Sequence, residues 1–274
     1  MSVFSYLRCP VCGGGVALSE NGRSLLCERR HTFDLAAAGY VNLLAPGKKN
    51  NAVAGDPKEM VRARSLFLAS GAYDGISDGL NRLIGEGGVC VDCGCGEGFY
   101  TARAAAQCKT VIGFDASKFA AEHGAKCARR AGQDNLHFFT ANIFDLPLRD
   151  GCADTVINLF APVAREEFLR VLKPGGRLIV GASGKRHLMG MKRILYETPY
   201  ENEENDLVLE GFERIHRQTV YYETTVTDKE AIRALFMMTP YYFRTSREDA
   251  DKLYACDTLT TEVETDFFVF QKIE

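Results

Sequence analysis

The stretch Asp92-Cys93-Gly94-Cys95-Gly96-Glu97-Gly98 narrows the fold more than any other. It continues a short apolar run, residues 89–93, and leads into a segment of helical composition, residues 99–108. Glycines let a backbone approach a bound molecule closely, and the helix that follows offers unpaired N–H groups. Further apolar runs at 110–114, 136–140, 154–159 and 177–181 alternate with helical segments. This alternation predicts an α/β, Rossmann-like, doubly wound parallel sheet whose ligands sit at the carboxyl ends of its strands. A helix over 229–238 and a final strand over 266–271, antiparallel at or near an edge, are expected to complete it.

The spacing of the turn bears on the ligand. A dinucleotide turn reads G-x-G-x-x-G, whereas here the glycines fall as G-x-G-x-G with Asp92 two places ahead. A carboxylate there disfavours phosphate and suits a cationic group, such as the amino group of S-adenosylmethionine. Asp115, at the end of the next strand, stands where a ribose presents two hydroxyls, a placement that fits either cofactor. Ala141-Asn142 would flank an adenine. The plainer alternatives are a tight turn without ligand for the glycines and a helix N-cap for Asp115.

The N-terminal quarter carries a different pattern. Cys9-Pro10-Val11-Cys12 is followed, after fourteen residues, by Cys27-x3-His31. Asn21-Gly22 lies between the pairs and favours a tight hairpin, because both residues tolerate positive φ, and such a hairpin would bring the pairs together. Three thiols and an imidazole at this spacing suit tetrahedral Zn2+ with every position filled, a structural site. Inert thiols or a thioredoxin-like C-x-x-C are the alternatives. A module of some forty residues has too little apolar content to fold alone, so the metal would supply its stability and loss of Cys9 would unfold it first. The mostly apolar segment 33–44 is expected to dock it on the main body.

The chain is expected to divide into a zinc ribbon (1–45), a linker with entry helices (46–86) and an α/β domain suited to S-adenosylmethionine (87–274). The linker is 45–54, rich in Pro, Gly, Asn and Lys. Beyond it, Asp56 reads as N-cap of a first helix with Pro57 at its first position and Gly71 past its end; Asp74 caps a second, with Ile76, Leu80, Leu83 and Ile84 on one face. Residues 1–64 hold nine Lys or Arg against five acids, +4, and the remainder is −7. A basic appendage on an acidic body could guide a polyanion, although solvated surface charge is the simpler account. With no export signal and no apolar run of eighteen residues, the chain reads as cytoplasmic, without a membrane span and with most of its ten cysteines as free thiols.

The D-x-G-x-G-x-G turn, the following acid and Leu172-Lys173-Pro174-Gly175-Gly176 together resemble class I S-adenosylmethionine-dependent methyltransferases. With CPVCG, CERRHTFDLAAAGYVNLL, GKRHLM and MTPYYFR, nearly the whole chain resembles the bacterial 23S rRNA (guanine-N1)-methyltransferases, which act on a hairpin loop near the peptide exit tunnel. The resemblance implies that Cys9, Cys12, Cys27 and His31 hold zinc, that Gly96 and Glu97 belong to the cofactor turn, and that Tyr73 and His187 touch the cofactor. It also implies 23S rRNA as partner, a homodimer, and a family divided by which of two neighbouring guanines is modified, one branch being linked to tylosin resistance. The acidic stretch 196–210 has no counterpart in that resemblance.

The reaction expected is transfer of the methyl group to guanine N1, with donor carbon and acceptor held in line. The cofactor set is Tyr73, Asp92, Gly94, Gly96, Glu97, Gly98, Asp115, Asn142 and His187. His187 and Asn158 are the candidates for a catalytic role, against cofactor packing for the histidine and a hydrogen-bonded strand end for the asparagine. Tyr241, Tyr242 and Phe243 would stack a base or fill the core. Rival functions are a small-molecule methyltransferase with a structural ribbon and a non-catalytic RNA-binding protein that retains the cofactor.

Overall fold

A computed structural model describes residues 2–44 and 55–273; the expected linker, 45–54, lies outside the described residues. The chain begins with a 3-10 turn, Val3–Tyr6, and a small antiparallel sheet of β1 (Val16–Leu18), β2 (Ser24–Cys27) and β3 (Thr32–Asp34). The β1–β2 connection is longer than the tight Asn-Gly turn expected. Gly22 takes φ +69° and donates to the Ser19 carbonyl at 2.9 Å, while Asn21 turns the chain through its side chain, whose Oδ1 accepts the Arg23 amide at 3.0 Å. A local Asx turn replaces the second positive φ.

The body follows: β4 (Val41–Asn42), α1 (Lys58–Leu68), α2 (Asp74–Leu83), β5 (Val89–Cys93), α3 (Phe99–Ala104), β6 (Thr110–Asp115), α4 (Lys118–Arg130), β7 (Leu136–Thr140), β8 (Ala153–Leu159), α5 (Arg165–Val171), β9 (Leu172–Ser183), α6 (Met189–Leu195), β10 (Phe212–Val226), α7 (Lys229–Met237), α8 (Arg247–Tyr254) and β11 (Leu259–Lys272). Eight strands form one sheet in the order β10-β11-β9-β8-β5-β6-β7-β4. Strands β4 to β9 in it run parallel, and β11 is antiparallel to both its neighbours. The order reverses between β5 and β8, which places the crevice for ligands at their carboxyl ends. The strand β4, from the segment expected to dock the ribbon, extends the main sheet, and Leu7, Leu25 and Phe33 share a core with Phe114, Phe139 and Leu148.

Glycines at three places make room for one ring. A Cβ at Gly98, Gly113 or Gly124 would come within 3.0 Å of Phe138, so the start of α3, the middle of β6 and the face of α4 all close on that side chain. Burying one such ring contributes about 2 kcal/mol.

Three expectations shift. Pro57, not Asp56, precedes α1 as its N-cap, and the Asp56 carboxylate pairs with Arg64. Asp74 is the first residue of α2 and binds Arg103 at 2.8 Å; Tyr73 occupies the cap. The Lys173-Pro174-Gly175-Gly176 stretch lies inside β9 as a bulge: Ala153 pairs with Leu172 and Thr155 with Arg177, and Lys173 reaches Asp154 at 2.6 Å. Its glycines therefore serve the amino end of the strand, away from the crevice.

The acidic stretch 196–210 becomes a strap. The buried Lys192 donates to the Tyr200 carbonyl (2.9 Å) and to Asn202 Oδ1 (2.6 Å), Asn205 Nδ2 donates to the Ser183 carbonyl, and Asp206, Glu201 and Glu204 pair with Arg214, Lys185 and Arg217. Three acids of the stretch are thus each paired with a neighbouring cation.

Candidate functional site

At the ribbon's end, two knuckles face each other. In the first, Gly13 donates to the Cys9 carbonyl; in the second, Arg30 adopts φ +64° and donates to the Cys27 carbonyl, and the His31 amide points at Cys27 Sγ, 3.3 Å away. The three sulfurs and one ring nitrogen lie within 4.8 Å of one another. Cys9 Sγ to His31 Nδ1 is 3.5 Å, Cys27 Sγ to His31 Nδ1 is 3.3 Å, and Cys12 Sγ to Cys27 Sγ is 3.8 Å. A tetrahedron with Zn–S bonds of about 2.3 Å has edges of about 3.8 Å, so the donors already stand at zinc spacing. Burial pushes the Cys27 thiol up, but hydrogen bonds from the His31 and Arg29 backbone outweigh it and leave the thiol at about 7, disposed to ionise. Cys9, Cys12, Cys27 and His31 are the structural zinc site.

The second site is the crevice. Gly94, Gly96 and Gly98 all take positive φ, yet they do different things. A Cβ at Gly94 would strike Ala161, after β8, and one at Gly98 would strike Phe138; a Cβ at Gly96 would meet little more than the flexible end of Arg64, 3.4 Å off. Gly96 is the open position, and the other two are packing positions that shape the turn. Asp92 is buried beneath it and accepts from Thr101 Oγ1 at 2.7 Å, with its carboxyl pushed up to about 7 by burial. That bond ties the end of β5 to the first turn of α3.

Asp115 holds the turn in place. Its two oxygens accept the amides of Gly96 (2.9 Å) and Ser117 (2.7 Å), and burial raises its carboxyl against those bonds. It is not the cap of α4, because Ser117 Oγ takes that place. Glu97 is 7% exposed, its Oε2 accepts no hydrogen bond, and Arg64 Nη1 stands 3.7 Å away. Burial pushes Glu97 up to about 7, with Arg64 opposing. Asn142 lies past the end of β7, its Oδ1 taken by the Phe144 amide at 3.0 Å.

The far wall is aromatic. Tyr73 Oη lies 3.1 Å from His187 Nε2, and His187 Nδ1 accepts the Glu264 amide at 3.2 Å. That acceptance fixes the hydrogen on Nε2, which donates to Tyr73. Burial drives His187 down to about 4. With its one lone pair taken, His187 has nothing with which to accept a substrate proton, and its candidacy as a base ends. Asn158 donates to the carbonyls of Cys93 (3.0 Å) and Pro162 (3.2 Å), bracing β5 against the loop after β8. Its buried Oδ1 has no partner. It is the hydrogen-bonded strand end. Tyr241, Tyr242 and Phe243 form a 3-10 turn and none is buried; Phe243 is 71% exposed.

A family model described as "Methyltransferase domain" matches residues 84–235, and one described as "RlmA, N-terminal" matches residues 7–51. A Streptomyces fradiae protein named 23S rRNA (guanine(748)-N(1))-methyltransferase is 38% identical over 196 residues, 68% of this chain and 66% of that one. Proteins of Micromonospora griseorubida (31%, 85% of each chain) and Bacillus subtilis (30%, 98% of each) bear the name 23S rRNA (guanine-N(1)-)-methyltransferase provisionally. The chain belongs to this methyltransferase family. Its class I methyltransferase fold, its S-adenosylmethionine dependence and its zinc cluster follow from the two matched regions and the geometry above.

In this member of the 23S rRNA (guanine-N1)-methyltransferase family, the sequence reading passed over Arg64, Thr140, Tyr100 and Phe160. Arg64 lies on the same helical stripe as the buried Val61 and Leu68, and a cation on an apolar stripe is the signal that marks it. Thr140 Oγ1, at the end of β7, is buried without a partner. The rings of Tyr73, His187, Phe160 and Tyr100 form a continuous chain, with centroids 5.8, 6.2 and 6.5 Å apart in that order. The resemblance put Tyr73 and His187 at the cofactor, but nothing in the sequence brought Tyr100 and Phe160 to them. No helix among the described residues is long and apolar enough to cross a membrane.

Proposed function

We propose that the chain transfers the methyl group of S-adenosylmethionine to N1 of a guanine in 23S rRNA, the C–S bond breaking to leave the thioether S-adenosylhomocysteine and N1 giving up its proton. The observation that carries this is one chain holding both a zinc-spaced Cys3His cluster and an acid-braced glycine turn, aligned over 98% of its length with a relative of that name.

The crevice suits the cofactor. Glu97 Oε2 is a buried acceptor in want of a donor, Gly96 leaves space beside it, and Asp115 braces the turn at the neighbouring strand end. Gly96, Glu97 and Asp115 would hold the cofactor, Gly94, Gly98 and Asp92 would shape the turn, Asn142 would border the adenine, and Tyr73 and His187 would close the far side. When bound, S-adenosylmethionine supplies an electrophilic methyl group on a sulfonium. The chain contributes alignment, which is the larger part of the acceleration in such a displacement. Guanine N1 is hidden in a duplex, so the acceptor is a loop base or one turned out of its stack. His187, neutral and doubly engaged, keeps the aromatic wall in position and does not move a proton.

The ribbon, residues 1–45, presents Arg23, Arg29 and Arg30 and is suited to hold the RNA backbone beside the catalytic unit, residues 87–274. A homodimer and a cytoplasmic location are part of the same proposal. The test is transfer from labelled S-adenosylmethionine to unmodified large-subunit RNA, mapped by reverse-transcription stops. Turnover of a metabolite with no label in RNA would support the small-molecule alternative; cofactor binding without any transfer would support the non-catalytic one.

A further inference from the structure

Three residues other than glycine have positive φ among the described residues: Arg30, Phe160 and Leu188. Arg30 belongs to the zinc knuckle, and Leu188 precedes α6 with its side chain buried. Phe160 is different. It follows β8 directly, at φ +52°, and the residue is 44% exposed. Left-handed backbone in a bulky residue is unfavourable, and an exposed aromatic gains little from burial in return. Local packing therefore does not explain the conformation.

The surroundings enforce it. The Phe160 amide donates to the Gly181 carbonyl at 2.9 Å, and Asn158, one residue before the end of β8, donates through Nδ2 to the Cys93 carbonyl and to that of Pro162, three residues beyond the strand's end. Ala161 rests on Gly94, where a Cβ would approach to 2.6 Å, so the strained residue is locked to the glycine turn. The ring then stands beside that turn. It is near-parallel to His187 (6.2 Å, 26°) and 6.5 Å from Tyr100, which lies two residues past Gly98. One flank is backed by aromatics and the rest faces solvent at the carboxyl ends of β5 and β8.

We infer that Phe160 is the platform on which the acceptor base stacks, held in a strained backbone by Asn158 so that a planar ring faces the methyl donor. The inference rests on the proposed function. It assigns Phe160 a substrate contact and makes Asn158 a positioning residue that acts through it. Stacking of a base on an aromatic side chain is tolerant of base identity and suits an extruded purine, so the guanine must be chosen by other contacts.

Phe160→Ala, Phe160→Gly and Phe160→Tyr, in the full chain, separate the roles. Methyl transfer to unmodified large-subunit RNA is measured beside S-adenosylmethionine affinity by calorimetry and thermal unfolding. Loss of one base-ring stack is expected to lower kcat/KM for RNA by roughly 5- to 150-fold in the Ala and Gly variants. Phe160→Tyr should keep most of the activity, and cofactor affinity should stay within about twofold. Phe160→Gly should unfold no earlier than wild type, because glycine accepts the backbone that phenylalanine resists. Wild-type activity in Phe160→Ala, a loss traceable to cofactor affinity, or a Gly variant that melts well below wild type would each overturn the platform. Absence of RNA methylation by the wild-type chain would instead overturn the functional reading on which it stands.

Discussion

Tyr73 Oη and His187 Nε2 meet at 3.1 Å inside the protein, joining the N-terminal end of α2 to the loop after β9 across 114 positions of sequence. The imidazole is doubly hydrogen-bonded as a neutral ring. Its folded-state value, about 4, is below the ordinary 6.5. The unfolded chain takes a proton there below pH 6.5 and the folded chain does not, so the stability present above 6.5 is lost as the pH falls toward 4. The loss is on the order of 3 kcal/mol. Asp92 and Glu97, raised to about 7, act in the opposite direction over much of the same range. The readout is therefore the difference between wild type and His187→Gln. The wild type should be the more stable at pH 7.5, and the gap should shrink or reverse at pH 4.5 in urea unfolding. An unchanged gap would show that the ring is already protonated. The activity profile of wild type should have no limb near pH 6 to 7 assignable to His187.

Glu97 predicts a proton linkage in cofactor binding. A ligand that donates to Oε2 favours the carboxylate over the acid and lowers its value from about 7. Binding then releases a proton at pH 6.5, and affinity should rise with pH up to about 7.5 and level off. Calorimetry of S-adenosylmethionine binding in buffers of different ionisation enthalpy measures the release. In Glu97→Gln the proton signal should vanish and affinity fall about tenfold, the loss expected for a hydrogen bond to a charged group. Proton release that survives in the Gln variant would assign it to another residue.

Gly98→Ala should destabilise the whole body. At φ +88° the alanine is strained, and its methyl would lie 2.5 Å from Phe138, a ring already enclosed by Gly113 and Gly124. Strain and overpacking together should remove about 3 kcal/mol or more. Gly96→Ala, facing only the Arg64 guanidinium, should lose about 1 to 2 kcal/mol of stability. Thermal unfolding of the two variants, scored beside cofactor affinity, checks the division: the first should fail in stability, the second in binding.

The parallel core was legible in the sequence because its central strands are mostly apolar runs, two of them marked at the carboxyl end by Gly94 after β5 and Asp115 in β6. The runs at 89–93 and 136–140 match β5 and β7 to the residue. The zinc donors were equally visible, since their chemistry is rare and their spacing specific. β10 was not visible. It is an edge strand whose residues are mostly exposed or half-exposed from Glu213 to Thr225; half-burial alternates only over Gln218 to Thr225, and of the inner positions 218, 220, 222 and 224 only Val220 and Tyr222 are apolar, so the pattern is too weak to read. Tyr100 and Phe160 escaped notice because the aromatic wall joins segments far apart in sequence. The capping shift from Asp56 to Pro57 accompanies a local contact, the pairing of that carboxylate with Arg64 farther along the same helix.

Removal of the metal should be felt beyond the ribbon. Leu7 and Leu25 are fully buried in the core that includes Phe114 and Phe139, and β4 hydrogen-bonds to β7. Structural zinc in small modules contributes on the order of 10 kcal/mol to folding. The purified chain should hold one zinc per molecule by emission spectroscopy. Chelation, or Cys9→Ser, should lower the melting temperature of the main transition as well as abolish protection of the amides in β1 to β3. A main transition unmoved by complete zinc loss would show that the two cores are independent.

Lys192 decides whether the acidic strap is part of the fold. Its residue is fully buried, and its ammonium donates to the Tyr200 carbonyl and Asn202 Oδ1, 4.5 Å above the Tyr200 ring and 5.4 Å from that of Tyr241. Burial lowers its value, while Glu201 opposes the shift. Lys192→Met keeps the length of the side chain and removes the donor, leaving the Tyr200 carbonyl unpaired and Asn202 Oδ1 with only the long bond from Tyr241 Oη (3.4 Å), at about 1 to 3 kcal/mol. Surface pairs such as Lys185 with Glu201 are worth little by themselves, so the strap should detach when this anchor goes. Hydrogen exchange should then accelerate at Asn202, whose amide otherwise donates to the Lys185 carbonyl, while the amides of β11 keep their protection. If Asn202 exchanges as slowly in the variant as in wild type, the strap is held by its ion pairs and the lysine is incidental.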